Sequence, residues 1–272
     1  MVAQGTSDMQ MHRVDVGAEP GARQVAGAAA SDTVHATLEA PYAVLVLTRL
    51  RPSTIPWAVW RLALGPRGLG RVPGLRFARV LGSGRNGGFG LVPGLDVQGV
   101  FAAFDSLDAA QTWADHGQGL QGYSQRAVEH LRLTLRVISS RGSWGGARMS
   151  AAPAPSTPAA PPACGGVVAA LTRASIRPAQ MGAFWRHSPP AERDLARAVG
   201  CRLAVGLGEA PLLRQATFSL WNDVDAMNAY ARSGAHGEAI RSARGGAYFS
   251  ESMFVRFVPV RMRGHWPGMA LG

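Results

Sequence analysis

Seven histidines, two cysteines and one glycine-rich loop are the residues of this 272-residue chain whose types and spacing invite chemistry. The loop Gly82-Ser83-Gly84-Arg85-Asn86-Gly87 spells GxGxxG behind a strand-like run, a pattern that can turn backbone amides toward a phosphate. That use needs a helix to follow, and residues 88–94 carry no helical period, so the loop reads as a hairpin connection. Cys164 and Cys201 form neither a CxxC pair nor a disulfide framework, which fits a reducing compartment. There is no P-loop, HExxH, GxSxG or paired-cysteine zinc pattern. Among the histidines His236 stands out, because a helical reading of residues 234–244 aligns it with Ile240 and Ala243, flanked by Arg241 and Arg244. An imidazole on such a stripe can hold a metal; buried histidines more often bond a backbone carbonyl.

The elements that must position these residues occur twice. Leu47-Thr48-Arg49 returns as Leu171-Thr172-Arg173, Trp60-Arg61 as Trp185-Arg186, and Arg141-Gly142-Ser143-Trp144 as Arg263-Gly264-His265-Trp266, at offsets of 122 to 125 residues. Each copy starts with an apolar β-rich run, Tyr42 to Thr48 or Val167 to Thr172. A helix follows, with Trp57, Trp60 and Leu64 expected on one stripe, or Met181, Phe184 and Trp185 behind Pro178. Two strands come next, Leu75 to Leu81 with Val97 to Phe104, or Arg202 to Leu207 with Leu213 to Trp221. A second helix begins at the N-cap Ser106 or Asp223, and a last strand spans Leu131 to Ile138 or Met253 to Val260. The order is β-α-β-β-α-β in both copies, the ferredoxin-like arrangement.

First strands that are apolar on both faces need cover on both. The expected fold is therefore α+β, with tandem ferredoxin-like repeats whose sheets pack together as a pseudo-dimeric α+β barrel. The expected boundaries are a disordered tail over 1–40, a first domain over 41–145, a Pro/Ala-rich linker over 146–165 and a second domain over 166–268. The basic residues are all arginine and the net charge is +11, which draws a protein toward anionic surfaces without choosing among them. No apolar run approaches the roughly 20 residues that span a bilayer. No secretory h-region is recognised, which leads to the expectation of a cytoplasmic protein. The central strands lack a basic-aromatic RNP1-like run, so nucleic acid is not an expected partner.

Four stretches taken together, residues 168–178, 205–211, 215–221 and 236–241, resemble the spheroidene monooxygenase family. Leu81-Gly82-Ser83-Gly84 and Arg141-Gly142-Ser143-Trp144 add to the likeness, which covers roughly residues 42–266. The resemblance implies an acyclic carotenoid 2-ketolase that uses dioxygen and electrons from reduced ferredoxin, with haem iron as cofactor. It implies His236 as axial ligand, with Arg241 and Arg244 near the haem propionates. Arg214 and Gln215, behind the turn shaped by Gly206, Gly208 and Pro211, are the candidates to place a hydrogen-bond donor over bound dioxygen, although a plain connecting loop explains them as well. Cys201 and His187 are the rival ligands. A membrane-partitioned substrate implies peripheral contact with the inner face of the membrane. A non-catalytic haem or pigment carrier on the same barrel is the alternative reading.

Overall fold

Eight antiparallel strands close into one barrel in the computed structural model, which describes residues 37–88, 90, 92–153, 166–210, 212–232, 248–267 and 269. Strand β1 (Tyr42–Leu50) leads through a 3-10 turn into helix α1 (Ile55–Leu64), followed by β2 (Leu75–Gly84) and β3 (Pro93–Phe104). Helices α2 (Leu107–His116) and α3 (Gln118–Arg126) then precede β4 (Ala127–Gly142). The second half repeats the order with β5 (Val168–Ile176), α4 (Met181–Ala196), β6 (Cys201–Ala210), β7 (Arg214–Trp221), α5 (Val224–Arg232) and β8 (Phe249–His265). The strands lie in the circular order β8-β4-β1-β3-β2-β6-β7-β5. Each half thus contributes a ferredoxin-like four-stranded sheet, and the two sheets join through β4 with β8 and through β2 with β6.

Alternation along the strands sorts side chains into two populations. One set, including Leu45, Leu47, Phe101, Leu133, Leu171, Phe218 and Phe257, fills the barrel. The opposite set faces the helices: Val44, Val46, Val100 and Phe104 meet Trp113, Leu120 and Tyr123 in the first half, and Val168 and Trp221 meet Leu195 and Met227 in the second. Both faces of β1 are covered, and those of β5 are covered except at Thr172 and Ser175, which is why the two strands read as largely apolar runs. The expected N-caps form: the Ser106 hydroxyl accepts from the Ala109 amide at 3.3 Å, and the Asp223 carboxylate from the Ala226 amide at 2.8 Å.

The repeated RGxW motif has a physical cause in both copies. Gly142 and Gly264 sit at φ +78° and +100°, and a Cβ at either would collide with a backbone carbonyl, that of Ser252 or His130. The tryptophan that follows crosses to the other half. Trp144 lies beneath the guanidinium of Arg173, 5.7 Å from its ring centre, and Trp266 lies beneath that of Arg49 at 5.8 Å. The two LTR arginines are thus each seated on the closing tryptophan of the opposite half.

Three local features depart from the sequence expectation. The strands run past their apolar runs to the barrel ends, β8 over 17 residues, because closure gives rim residues partners that apolar periodicity does not count. Helix α3 adds a turn of structure that buries Leu120 and Tyr123. Trp60 leaves the stripe assigned to it and stands 55 % exposed, while Trp57 turns inward against Tyr123. Of the expected tail, residues 1–36 lie outside the described residues; Thr37–Leu38 pairs in parallel with Arg148–Met149. Of the expected linker, 154–165 lie outside them too, and the Ala152 amide bonds the Val137 carbonyl at 2.9 Å.

Candidate active site

The helix-side face of the second sheet is paved with small side chains. Three cross-strand rows make up this floor: Ala174, Gln215 and Gly208; Thr172, Thr217 and Gly206; Ala170, Ser219 and Ala204. None is larger than threonine except Gln215. The third row is packed with Leu195, Trp221 and Met227, so the open part is the first two rows, roughly 10 Å by 7 Å at the usual strand and same-face spacings. Thr172 is exposed, whereas its sequence counterpart Thr48 is fully buried and bonds His130 Nδ1 at 3.0 Å. In the first half the same face is filled: Gln98 donates to the Ala58 carbonyl of α1 at 2.7 Å, and Tyr123, Trp113 and Leu120 cover the sheet.

Aromatic and polar groups edge the floor. Phe184 packs edge-on against Trp185 and Phe249, with ring centres 5.3 and 5.8 Å apart, and the Trp185 indole N–H donates to the Leu212 carbonyl at 3.1 Å. Leu212 itself turns at φ +68°, which makes the β6–β7 connection abrupt. At the opposite edge the Trp221 indole donates to Ser219 Oγ at 2.9 Å. Arg256 is held away by Asn228 on α5 at 2.9 Å.

Of the residues singled out from sequence, Gln215 lies on the floor. Its amide rests against Gly208, where a Cβ would come within 3.5 Å of the Gln215 side-chain oxygen, and its only described bond is a long 3.5 Å contact to the Ala210 carbonyl. It is a weakly committed donor facing the helix side. Arg214, one residue earlier, has the opposite strand parity and is exposed at the end of β7, so the two neighbours serve different faces. His236, Arg241 and Arg244 lie outside the described residues, as do Pro211 and the His187 side chain.

Burial pushes the Cys201 thiol up to about 11, against a 3.5 Å bond to the Leu203 carbonyl. A thiol so held packs beside the second-half core as a small apolar group. Burial, helped by Arg132, lowers His130 to about 4, so that it is a neutral partner of Thr48 on the other half. His116 and His265 are exposed and far from the floor in the fold. Among the described residues no cluster of three or more His, Cys, Asp or Glu forms a metal site. The described part offers a partly open sheet face of small side chains with one weakly committed amide donor, Gln215.

A buried ionic network at one mouth of the barrel escaped sequence reasoning. Arg173, only 4 % exposed, bridges Glu251 and Glu209, and Glu209 also takes Arg79 from the first half at 2.6 Å. Glu251 further accepts from Ser143 at 2.8 Å and from the amides of Gly145 and Gly146. Burial works against its charge, but the amides of Gly146 and Gly145, the Ser143 hydroxyl and Arg173 outweigh it and hold the carboxyl down at about 2. The repetition of LTR was the available signal. Nothing in the sequence showed which carboxylates would answer it.

The barrel defines a dimeric-type α+β-barrel protein with both halves in one chain and, among the described residues, part of one helix-side face open. No protein-family model matches the chain. It is 47 % identical over 230 residues to the spheroidene monooxygenase of Rubrivivax gelatinosus, covering 84 % of this chain and 86 % of that protein. It is 37 % identical over 236 residues to the spheroidene monooxygenase of Rhodobacter capsulatus, covering 84 % and 94 %. The chain belongs to the spheroidene monooxygenase family and is an enzyme. Similar solved structures are remote: a crystal structure of aldoxime dehydratase is 9 % identical over 80 % of each chain at a TM-score of 0.48, and an anthrone oxidase-like protein is 14 % identical over 85 % of this chain and 96 % of that one at 0.30. Neither carries an argument about chemistry here.

Proposed function

We propose that the protein oxidises C2 of an acyclic carotenoid of the spheroidene type to a ketone, using dioxygen and electrons from reduced ferredoxin at the floor of the second half. Two successive hydroxylations balance the reaction. Each consumes one dioxygen, two electrons and two protons, leaves one oxygen on carbon and releases the other as water; the resulting geminal diol then loses water to give the ketone. The observation that carries this reading is the small-residue floor in a chain that belongs to this family.

Haem, which activates dioxygen when bound, is the cofactor whose flat shape suits the floor. His236 would hold the haem iron and Arg241 and Arg244 would meet its carboxylates, on the sequence reading. Gln215 supplies an amide N–H on the helix-side face, free to turn from the Ala210 carbonyl toward a bound oxygen atom. Arg214 adds a cation at the edge of the same strand. Thr172, Thr217 and the glycines leave room for a rod-like polyene, and the aromatic edge of Phe184, Trp185 and Phe249 gives its chain an apolar wall. Among the described residues no helix is long and apolar enough to cross a membrane; peripheral contact with the inner face of the membrane is the proposed route to a lipid-dissolved substrate.

The test is the absorption spectrum of purified protein, oxidised, reduced with dithionite and exposed to carbon monoxide, followed by aerobic incubation with carotenoid and a reducing system. A histidine-type haem spectrum with ketone formation supports the reading. Haem binding without turnover supports a carrier instead, and a colourless protein that still forms ketone removes haem from the account. His236→Ala is expected to abolish the Soret band and turnover together while far-ultraviolet circular dichroism is kept. His116→Ala, His130→Ala and His265→Ala should keep the band.

A further inference from the structure

Helix α1 carries an apolar stripe that faces no other part of the described protein. Pro56, Val59 and Ala63, with Pro52 in the turn before them, follow at spacings of three or four, Trp60 stands beside Val59, and all are exposed, Trp60 at 55 % and Val59 at 47 %. The opposite side of the same helix is the packed one: Trp57 against Tyr123, Ala58 under Gln98, and Leu62 over Gly82. Val128, 62 % exposed, lies at the register shift where β4 begins, and the rim where β1 hands over to α1 is tied to the start of β4 by the Arg51 amide on the Arg126 carbonyl at 3.0 Å.

The other helices show what an ordinary solvent face looks like in this protein. Exposed positions on α2 are Asp108, Thr112 and His116, and on α3 they are Gln118, Gln121, Ser124 and Gln125. The repeat sharpens the contrast, because Trp185 occupies Trp60's place in the second copy and is tied to Leu212, whereas Trp60 is left in solvent. Arginines close both ends of the stripe: Arg51 before it, Arg67 and Arg71 after it, all exposed and none in an ion pair among the described residues. The acids nearest the rim, Asp96 and Glu129, are both neutralised by Arg49.

We propose that the outward stripe of α1 is the surface by which this protein lies on an anionic lipid bilayer, with Trp60 and Val59 entering the headgroup boundary and Arg51, Arg67 and Arg71 meeting lipid phosphates. An apolar helix face with basic residues at its ends is the form that interfacial helices take. This rests on the reading of a lipid-dissolved substrate, and it assigns the contact to one face of the first half, leaving the second half's floor to the chemistry.

The full chain is mixed at low salt with vesicles of phosphatidylcholine alone, or with about a third phosphatidylglycerol, and the bound fraction is measured by flotation without carotenoid. Trp60→Ser is expected to weaken binding to the anionic vesicles about tenfold, the loss expected for removing one large apolar side chain from the interface. Arg51→Gln with Arg67→Gln should weaken anionic binding and leave the small affinity for neutral vesicles. Val199→Ser, a change at a 91 % exposed position on the turn before β6, should change neither. Unaltered binding of Trp60→Ser overturns the proposal, and so does a self-association of the wild type that Trp60→Ser abolishes, since the stripe would then be a contact between copies. Conversion of detergent-dispersed carotenoid is read separately: Trp60→Ser keeps it if the functional reading holds, so a failed membrane surface and a failed catalytic reading give different results.

Discussion

Arg173 is a buried cation that the fold can tolerate only because Glu209 and Glu251 answer it and Trp144 lies beneath it. Glu251→Gln keeps the shape and removes the charge, and should cost about 1–3 kcal/mol of stability in urea unfolding at neutral pH. The sign with pH follows from the carboxyl held at about 2 against an ordinary 4.5. The unfolded chain takes up that proton first, so the stabilisation is complete above 4.5 and drains as pH falls through about 2. Glu251→Gln should flatten that part of the acid limb. His130, lowered to about 4 from 6.5, acts in a higher window: the unfolded state is protonated first, and stability falls as pH drops from 6.5 toward 4. His130→Gln should shrink the difference between urea midpoints measured at pH 7 and pH 5; an unchanged difference would mean that the imidazole is not buried neutral.

At the scale of elements, the strands and helices were legible because both faces of β1 and β5 are apolar and because Ser106 and Asp223 cap as their types suggest. Their lengths were not, since rim pairing is a property of closure. The orientation of α1 was misread for a similar reason: Trp57, Trp60 and Leu64 fit a stripe by spacing, but Trp57 and Arg61 pack on Tyr123 and rotate Trp60 outward. Much of the site was legible only as a list. Gln215 was singled out beside Arg214, yet strand parity sends the two to opposite faces, and the floor of small residues around Gln215 arises from three strands that no local pattern connects. Gln215→Leu removes the donor and keeps the shape. It should lower turnover about a hundredfold with haem content retained, the usual cost of losing one preorganised donor; equal turnover would take Gln215 out of the chemistry.

The two halves close into one barrel in which each supplies the tryptophan that seats the other's arginine. Such cross-contacts make independent unfolding of the halves costly. Trp144→Ala should destabilise the protein by about 3–5 kcal/mol, and heat denaturation should remain a single transition seen alike by calorimetry and circular dichroism. Two separated transitions would mean that the halves hold themselves. Within this frame the first half's helix-side face is filled and, among the described residues, the second half's is partly open around Thr172, Thr217 and Gln215, which is why the proposed oxidation is assigned to the second. Thr217→Trp tests that assignment most directly, because it fills the middle row of the floor between Thr172 and Gly206 without touching any barrel-core residue. Haem absorbance and C2-ketone formation should both disappear while the far-ultraviolet spectrum persists; a Thr217→Trp protein that binds haem and converts carotenoid at the wild-type rate would show that the reaction takes place elsewhere.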